Sequence, residues 1–341
     1  MRIKFAFLIL LLFLTGCTLP GAKTPTESGP TSALPTTAPT EVLTPTPGTP
    51  LAILVIPASM PRQQADLYQT TINDLAQASG LRFQVRNSLT IAEIELESNL
   101  KIVVAFPPDP GLTDLASAVP QVQFLGVTIL GLTATANLSI VGGEGTPVDK
   151  QAFMAGYIAA LLSPDFRVGI ITQKDTPDGI LAYDAFVNGV TFFCGLCNPQ
   201  FPPWYEYPVH SEIPTDIPEG QYRFYADPLK DYMVEFAYVF PAVATEDLLD
   251  TMSQYGLNII SQARPSDRLE ANWVVSIQPK VVPAIQAIWP DLVAGKGRQD
   301  LSLPLFLEDV NPDLLSEGKQ NDVQQILDRL QRDEISTGVI P

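Results

Sequence analysis

The sequence predicts an α/β protein of two lobes, each built on a parallel β-sheet, with a central cleft between them. From residue 51 onward, short apolar runs alternate with helical patterns, as expected of βαβ units. This alternation occurs twice, and the glycine cluster Gly142–Gly145 separates the two series. The chain has 341 residues and is 46% hydrophobic, which is enough apolar side chain for two cores of ordinary size.

The first 16 residues carry the pattern of a bacterial export signal. Arg2 and Lys4 precede the apolar run Phe5–Leu14, which is shorter than the roughly 20 residues that a membrane-spanning helix needs. The run ends in Leu14-Thr15-Gly16-Cys17, which resembles a bacterial lipobox. The resemblance implies removal of residues 1–16, a lipid on Cys17, and a protein anchored on the extracytoplasmic face of the cell membrane. An ordinary signal peptide with an incidental cysteine is the alternative.

Residues 17–50 are predicted to be a linker. Of these 34 residues, 10 are Thr and 8 are Pro, so the segment has little apolar surface to bury and favours extended geometry. The linker separates the predicted anchor from the folded part of the chain.

The remaining chain divides into alternating strands and helices. Its strands are buried on both faces and therefore read as continuous apolar runs. In chain order, the predicted elements are strand Leu51–Pro57, helix Pro61–Ser79, strand Arg82–Arg86, strand Lys101–Phe106, helix Thr113–Ala118, strands Val122–Thr128 and Leu138–Val141, a helix ending near Leu162, strand Val168–Thr172, a helix from Thr176-Pro177 to Phe193, an extended aromatic stretch Pro203–Val209, strand Val234–Phe240, helix Thr245–Tyr255, strands Leu257–Ser261 and Trp273–Ile277, helix Val281–Ala294, an extended segment Leu303–Leu307 and helix Val323–Glu334.

The glycine cluster leads into a predicted helix start. Thr146 suits the N-cap, Pro147 the first helical position and Asp149 the carboxylate of a capping box. The cluster lacks the Gly-Lys-Ser/Thr ending of a phosphate-binding loop. A flexible crossover between the lobes is therefore the preferred interpretation.

The charge balance narrows the possible partners. The chain carries a formal net charge of −17, which argues against nucleic acid and against anionic lipid headgroups. Cys194 and Cys197 form a CxxC pair at a predicted helix end, and for an exported protein we favour a local disulfide over free thiols or a redox pair. Zinc would need two further ligands, and His210 is the only histidine, so neither a metal nor another cofactor is predicted.

Several segments resemble the basic membrane protein family of solute-binding lipoproteins. The order and spacing of these segments carry the resemblance, which covers roughly residues 100–340. They are the helix Asp149–Ser163 with the strand Arg167–Ile171, the helix segment Ala185–Val190 with Asn198-Pro199, the segment Val274–Ile285, and the closing Ile335–Ile340.

The resemblance implies a type I periplasmic-binding fold. Such a protein has two Rossmann-like lobes, three crossing segments, and a small, nucleoside-like ligand in the cleft, delivered to an ABC permease. Residues 51–145 plus 273–298 are assigned to lobe 1, and residues 146–272 plus 299–341 to lobe 2. Ligands of such sheets bind at the carboxyl ends of the strands.

The chain departs from the family at the positions expected to grip a ribose. The loop Ala58–Arg62 lacks the family's Asp and Phe-Asn pair, and the segments Gly126–Thr128 and Ile260–Ala263 lack its acids. The alternative function is therefore a degenerate binding-fold lipoprotein that serves as an envelope interaction or sensory module without a transported ligand.

Seven residues are predicted to line the cleft. Lys280 matches a polar family position, Trp204 and Tyr205 offer aromatic faces to a planar ligand, and the others follow strand ends. The remaining four are Arg264, Asp267, Asp109 and Ser59. His210 is predicted to be a surface residue, so no catalytic triad is expected and the protein is predicted not to be an enzyme.

Overall fold

The computed structural model describes residues 48–340. The predicted signal peptide, the Cys17 lipidation site and the linker up to residue 47 lie outside the described residues. Within the described range, no helix combines the length and the apolar character needed to cross a bilayer.

Lobe 1 is built on a six-stranded sheet in which every neighbouring pair is parallel. The strand order is β11-β5-β4-β3-β1-β2. The first four strands alternate with helices and β5 follows β4 without one, and all but the edge strand β2 are mostly buried apolar runs. The strands are β1 (Leu51–Val55), β2 (Arg82–Arg86), β3 (Leu100–Ala105), β4 (Gln123–Val127), β5 (Leu138–Val141) and β11 (Asp300–Leu301).

Lobe 2 repeats this order on a second six-stranded sheet, β12-β10-β9-β8-β6-β7. The pairs are parallel except at β12, which runs antiparallel to β10. The strands are β6 (Val168–Gln173), β7 (Val209–Ile213), β8 (Phe236–Val239), β9 (Asn258–Ser261), β10 (Trp273–Pro279) and β12 (Leu305–Glu308). The predicted fold class of two parallel-sheet lobes is confirmed.

The helices cover both sheets. In lobe 1, α1 and α8 cover one face, and α2 and α3 the other. In lobe 2 the helices and strands share one continuous core. The helices are α1 (Arg62–Ala78), α2 (Ile91–Leu96), α3 (Leu112–Ala118), α4 (Val148–Leu162), α5 (Pro177–Cys194), α6 (Asp227–Asp231), α7 (Glu246–Gln254), α8 (Val281–Val293) and α9 (Glu317–Gln331).

The chain crosses between the lobes three times. The crossings join β5 to α4, β10 to α8, and β11 to β12. Two predicted lobe boundaries are wrong as a result. Residues 273–279 form a strand of the lobe 2 sheet, whereas β11 at residues 300–301 pairs with β5 in lobe 1. The helix that follows β10 does belong to lobe 1, since Ile285 and Leu292 pack in its core.

Helices α4 and α5 touch backbone to backbone. A Cβ on Gly156 would collide with the carbonyl oxygen of Phe186, and one on Gly189 would collide with that of Phe153. The reciprocal glycines therefore set how closely the two helices approach. This contact positions the first turns of both helices, which face the crossing from β5.

Three differences between the predicted and the observed local structure stand out. Helix α2 was not predicted, although Thr90 and Glu93 form a full capping box at its start. The aromatic stretch predicted to be extended from Pro203 is irregular until β7 begins at Val209. The predicted cap at Thr146 is wrong, because α4 begins at Val148 with Pro147 at its N-cap and no side-chain cap.

Candidate functional site

A cavity near the crossings lies between the two lobes and has a volume of about 700 Å³. Lobe 1 contributes the end of β5's crossing and strand β11, and lobe 2 contributes the first turns of α4 and α5. Such a position, between lobes that can move about crossing segments, suits a ligand that both lobes contact. The lining comprises Gly143–Lys150, Asp178, Leu181 and Asp300–Ser302.

Carboxylates dominate the charge of this cavity. Glu144, Asp178 and Asp300 line it, and none of the three forms an ion pair with another described residue. The lining cation, Lys150, has its Nζ 2.6 Å from Oδ1 of Asp333. The cavity therefore disfavours an anion and suits a ligand that offers hydrogen-bond donors or positive charge.

Asp149 also lines the cavity, but it does not serve the capping box predicted for it. Its side chain is buried, and its Oδ2 accepts a hydrogen bond from the Thr337 hydroxyl at 2.9 Å. Because Thr337 belongs to the closing segment of the chain, this bond fastens that segment against the start of α4. The role of Asp149 in the structure is thus to hold the cavity wall.

Lys280 lies in the crossing between β10 and α8. Its backbone N–H donates to the carbonyl of Pro304, and its Nζ lies 2.7 Å from Oε2 of Glu308. Both partners belong to the neighbouring crossing or to β12. Lys280 is therefore close to the predicted cleft, but its ammonium group already has a partner and does not line the interlobe cavity.

Arg264 and Asp267 line a different cavity, of about 520 Å³, in lobe 2. Nη2 of Arg264 lies 3.4 Å from Oδ1 of Asp267, and Asp309 and Asn311 complete much of the wall. No residue of this wall lines the interlobe cavity. The structure therefore does not bring Arg264 together with Lys280.

Two predicted residues follow lobe 1 strands as expected but have other surroundings. Oδ1 of Asp109 accepts hydrogen bonds from the backbone N–H groups of Gly111 and Leu112, so its carboxylate caps the start of α3. Ser59 is exposed in the loop after β1. Neither residue lines the interlobe cavity.

Trp204 and Tyr205 lie at the wrong edge of the lobe 2 sheet for a cleft role. Their loop precedes β7, and the Tyr205 ring packs edge-on against Tyr232, which precedes β8. Both strands are parallel to β6, so residues before them lie at the amino edge. The cleft forms at the carboxyl edge, and the prediction that these aromatics stack on its ligand is wrong.

His210 is more enclosed than predicted. Its ring stacks on Tyr183 at a centroid distance of 4.0 Å, and its Nε2 lies 2.7 Å from the Thr172 hydroxyl. Burial lowers its pKa, although the nearby carboxylates of Glu212 and Asp184 act in the opposite direction. The described residues contain no group of three or more His, Cys, Asp or Glu side chains arranged to hold a metal ion.

Sequence reasoning missed the three unpaired carboxylates of the cavity. Asp178 and Glu144 follow the carboxyl ends of β6 and β5, which is the same signal that singled out Asp109 and Arg264. Asp300 lies in a two-residue strand that no sequence pattern indicates. Cys194 and Cys197 are joined by a disulfide with their Cα atoms 5.5 Å apart, far from the cavity at the end of α5.

No protein-family model and no curated protein matches this chain. Solved structures do match. An ABC transporter solute-binding protein from Conexibacter woesei is similar over 86% of this chain and 98% of its own, at 16% identity and a TM-score of 0.56. A transcriptional activator of the comK gene from Bacillus halodurans is similar over 84% and 99%, at 10% identity and a TM-score of 0.52. The chain therefore has the two-lobed type I periplasmic-binding fold. Membership of the basic membrane protein family stays a prediction.

Proposed function

We propose that this chain is an extracytoplasmic solute-binding protein, anchored by a lipid on Cys17, that binds a small molecule in the interlobe cavity for an ABC permease. One observation carries the proposal. The cavity takes its wall from both lobes, and three short crossings connect those lobes. A ligand that contacts both walls stabilises the closed arrangement, which is the state that a permease can distinguish from the empty one.

The chemistry of the cavity favours binding over catalysis. The one histidine, His210, stacks on Tyr183 and hydrogen-bonds with the Thr172 hydroxyl, and it does not line the cavity. The carboxylates of Glu144, Asp178 and Asp300 are suited to accept hydrogen bonds from hydroxyl or amino groups of a ligand. We therefore propose a neutral or cationic, donor-rich ligand rather than a phosphorylated or carboxylated one.

The first test uses the mature chain with Cys17→Ser, which removes the lipid site and leaves the binding domain unchanged. Native mass spectrometry should show a small molecule retained from expression, and that molecule should then be titrated by calorimetry. Asp178→Asn should weaken its binding at least tenfold, because one charge-assisted hydrogen bond contributes about 1.5–3 kcal/mol. Asp267→Asn, in the separate lobe 2 cavity, is the matched control and should leave affinity unchanged.

Nucleosides are the second probe of the same cavity. Because the family's ribose-gripping acids are missing from the three expected loops, we expect adenosine, guanosine, inosine and uridine to bind in the millimolar range. Sub-micromolar binding of any of them would show that the cavity carboxylates replace those acids. Lys280→Ala should have little effect, since the ammonium group is paired with Glu308.

The anchor is tested separately. Wild-type chain should fractionate with membranes and carry added lipid mass, and Cys17→Ser should release it. Unchanged membrane retention and mass in the variant would refute lipidation without bearing on ligand binding.

A sensory or interaction module is the second candidate function. It is favoured by the similarity in fold to a protein described as a transcriptional activator and by the missing family acids. The two candidates differ in one outcome. Cells lacking an importer receptor lose uptake of the cavity ligand, whereas cells lacking a sensory module keep it.

A further inference from the structure

A rigid group of exposed apolar side chains lies at the amino edge of lobe 2, on the side of the sheet opposite to the cleft. We call it the aromatic surface. Leu196, Phe201 and Trp204 protrude furthest, with exposed fractions of 91%, 65% and 72%. The members of the aromatic surface are Leu196, Phe201, Trp204, Tyr205, Tyr232 and Met233.

Several contacts hold the loop that carries these side chains in place. The Tyr205 and Tyr232 rings pack 4.8 Å apart, and the Tyr207 hydroxyl donates to the carbonyl of Tyr232. The Arg167 guanidinium donates to the backbone carbonyls of Phe201 and Pro202 at 3.1 and 3.3 Å. The loop therefore has a fixed backbone that projects its aromatic side chains outward.

The same arginine links the loop to the lobe. Its Nη1 lies 3.3 Å from Sδ of Met233, and it forms a 2.9 Å ion pair with Asp165, both side chains being nearly buried. The carboxylate of Asp165 also accepts the N–H of Gln200, and the Cys194–Cys197 disulfide pins the start of the loop. The nearly buried Arg167–Asp165 pair thus fixes a loop whose own side chains are exposed and apolar. This arrangement indicates that the aromatic surface contacts another molecule or a membrane.

The area and the composition of the aromatic surface indicate which kind of partner it fits. The six side chains expose on the order of 600 Å² together, at the upper end for the largest apolar patch of a monomer. Residues 185–205 contain no charged residue. The longer uncharged run at residues 115–143 supplies the buried strands β4 and β5 and exposes one large apolar side chain, Leu130, whereas the lobe 2 run exposes several.

We propose that the aromatic surface rests in the headgroup region of a lipid bilayer whose surface is close to neutral. Trp and Tyr side chains favour that region because one end of each is apolar and the other polar. A second copy of the chain fits less well, since two chains of net charge −17 repel each other and the surface offers no charges to pair. Strongly anionic lipid is disfavoured for the same reason.

The chain outside the described residues makes this contact reachable. The inference rests on the proposed lipid on Cys17, which leaves 30 residues of Pro/Thr-rich linker before Gly48. In extended geometry such a linker spans about 90 Å. Lobe 2 can therefore reach the membrane that holds the anchor, and the anchored chain would be oriented rather than free to tumble.

The test uses the Cys17→Ser chain, so that no lipid contributes, and vesicles of pure phosphatidylcholine. Trp204 is the one exposed tryptophan of three, because Trp273 and Trp289 are buried. Adding vesicles should shift its emission to shorter wavelength and protect it from aqueous acrylamide. Vesicles that contain a large share of phosphatidylglycerol should bind the chain more weakly at low salt.

Two matched leucine variants localise the contact. Leu196→Ala should lower the vesicle partition coefficient severalfold, and Leu196→Ala with Phe201→Ala should lower it at least tenfold. Leu96→Ala removes a leucine of similar exposure, 84%, from lobe 1 and should leave partitioning unchanged. Thermal unfolding of each variant in solution checks that the fold is retained.

Three results would overturn the proposal. The first is an absence of any Trp204 response and of co-sedimentation with phosphatidylcholine vesicles. The second is equal weakening by Leu96→Ala. The third is a Trp204 shift on concentrating the chain without vesicles, together with a dimer in ultracentrifugation, which would make the surface an interface between copies. The mass of the full chain tests the anchor independently, because Cys17→Ser should remove the added lipid mass whether or not the aromatic surface holds the chain on a membrane. Failure of one proposal therefore does not imply failure of the other.

Discussion

The two lobes share a strand order but are held together by different means. Lobe 1 has separate cores on the two faces of its sheet, whereas the buried residues of lobe 2 form one core that reaches around the sheet. Lobe 2 adds a backbone contact between two helices, a nearly buried ion pair and a disulfide. Lobe 1 has no cysteine, and its Arg86–Glu97 ion pair is more exposed.

The difference shows that one strand order can support two lobes whose elements are constrained to different degrees. All three devices in lobe 2 lie on or next to the route from α4 through α5 to the loop at residues 196–205. They fix the cavity wall at one end of the helices and the aromatic surface at the other. Lobe 1 has fewer such constraints. This difference suits an arrangement in which lobe 1 moves relative to the cavity wall that lobe 2 contributes.

The largest expected effect comes from the helix contact in lobe 2. Gly156→Ala places a methyl group against the carbonyl of Phe186, and no side chain can move aside to relieve a clash with backbone. We expect a loss of about 3 kcal/mol or more in the free energy of unfolding. Chemical denaturation followed by circular dichroism measures it.

The control for this variant is a glycine with open space. Gly318→Ala in α9 meets no atom within 4 Å, so it should be neutral or raise stability by up to about 1 kcal/mol through helix propensity. Equal stability of the two variants would show that α4 and α5 are not packed backbone to backbone.

A smaller loss is expected from a polar side chain that holds lobe 1. Nδ2 of Asn137 donates to the carbonyls of Ala116, Val119 and Val122, all in buried surroundings. Asn137→Ala leaves these acceptors without their shared donor and should cost about 1–3 kcal/mol. Hydrogen exchange resolved by peptide should locate the lost protection in α3, β4 and β5, with β6 and β8 unchanged. Equal loss in both lobes would mean that they unfold as one unit.

The regular elements of the fold differ in how far the sequence predicts them. Continuous apolar runs predict the buried strands, because a strand that is buried on both faces needs apolar side chains throughout. Apolar residues at helical spacing predict the long helices. Strand β11 has two residues and is created by the crossing beside it, so no pattern marks it. The capping box Thr90–Glu93, in contrast, is a signal for the start of α2 that the sequence does carry.

The residues of the candidate site also differ in whether the sequence could place them. Chain direction alone places Trp204 at the amino edge, because the loop precedes a parallel strand, and this reasoning would have corrected the error. Asp178 and Glu144 follow strand ends and were within reach of the same rule that selected Asp109. Which acid faces the cavity and which caps a helix depends on the paths of the crossings, and those paths come from packing between distant segments.

The disulfide should contribute less than either packing feature. A bond between residues as close as Cys194 and Cys197 restricts the unfolded chain only slightly, so its loss should cost about 2 kcal/mol or less. Thiol titration of unreduced, denatured chain should find no free thiol at these positions, and two free thiols would refute the bond. Reduction should loosen the aromatic surface and leave ligand affinity in the cavity unchanged.

The smallest expected effect is an acid response confined to the loop at residues 196–205. Burial would raise the pKa of Asp165, but hydrogen bonds from the N–H of Gln200 and from Arg167 outweigh it and hold the pKa below its usual range. The ordinary value of an Asp carboxyl is about 3.9. The loop contacts therefore contribute stability that is fully present above about pH 4 and is lost as the pH falls through the lower pKa of the folded chain.

This sign leads to a measurement that separates the lobes. Because Trp204 is the exposed tryptophan of the loop, its fluorescence anisotropy should fall as the pH drops below about 4, where protonation of Asp165 releases the backbone around Gln200. Asp165→Asn should show the more mobile Trp204 already at neutral pH and no further step on acidification. Glu97→Gln, which removes the partly exposed lobe 1 pair, should leave the anisotropy profile unchanged. An identical acid step in wild type and Asp165→Asn would show that other groups stabilise the loop. The Arg167–Asp165 pair would then not account for the difference between the lobes.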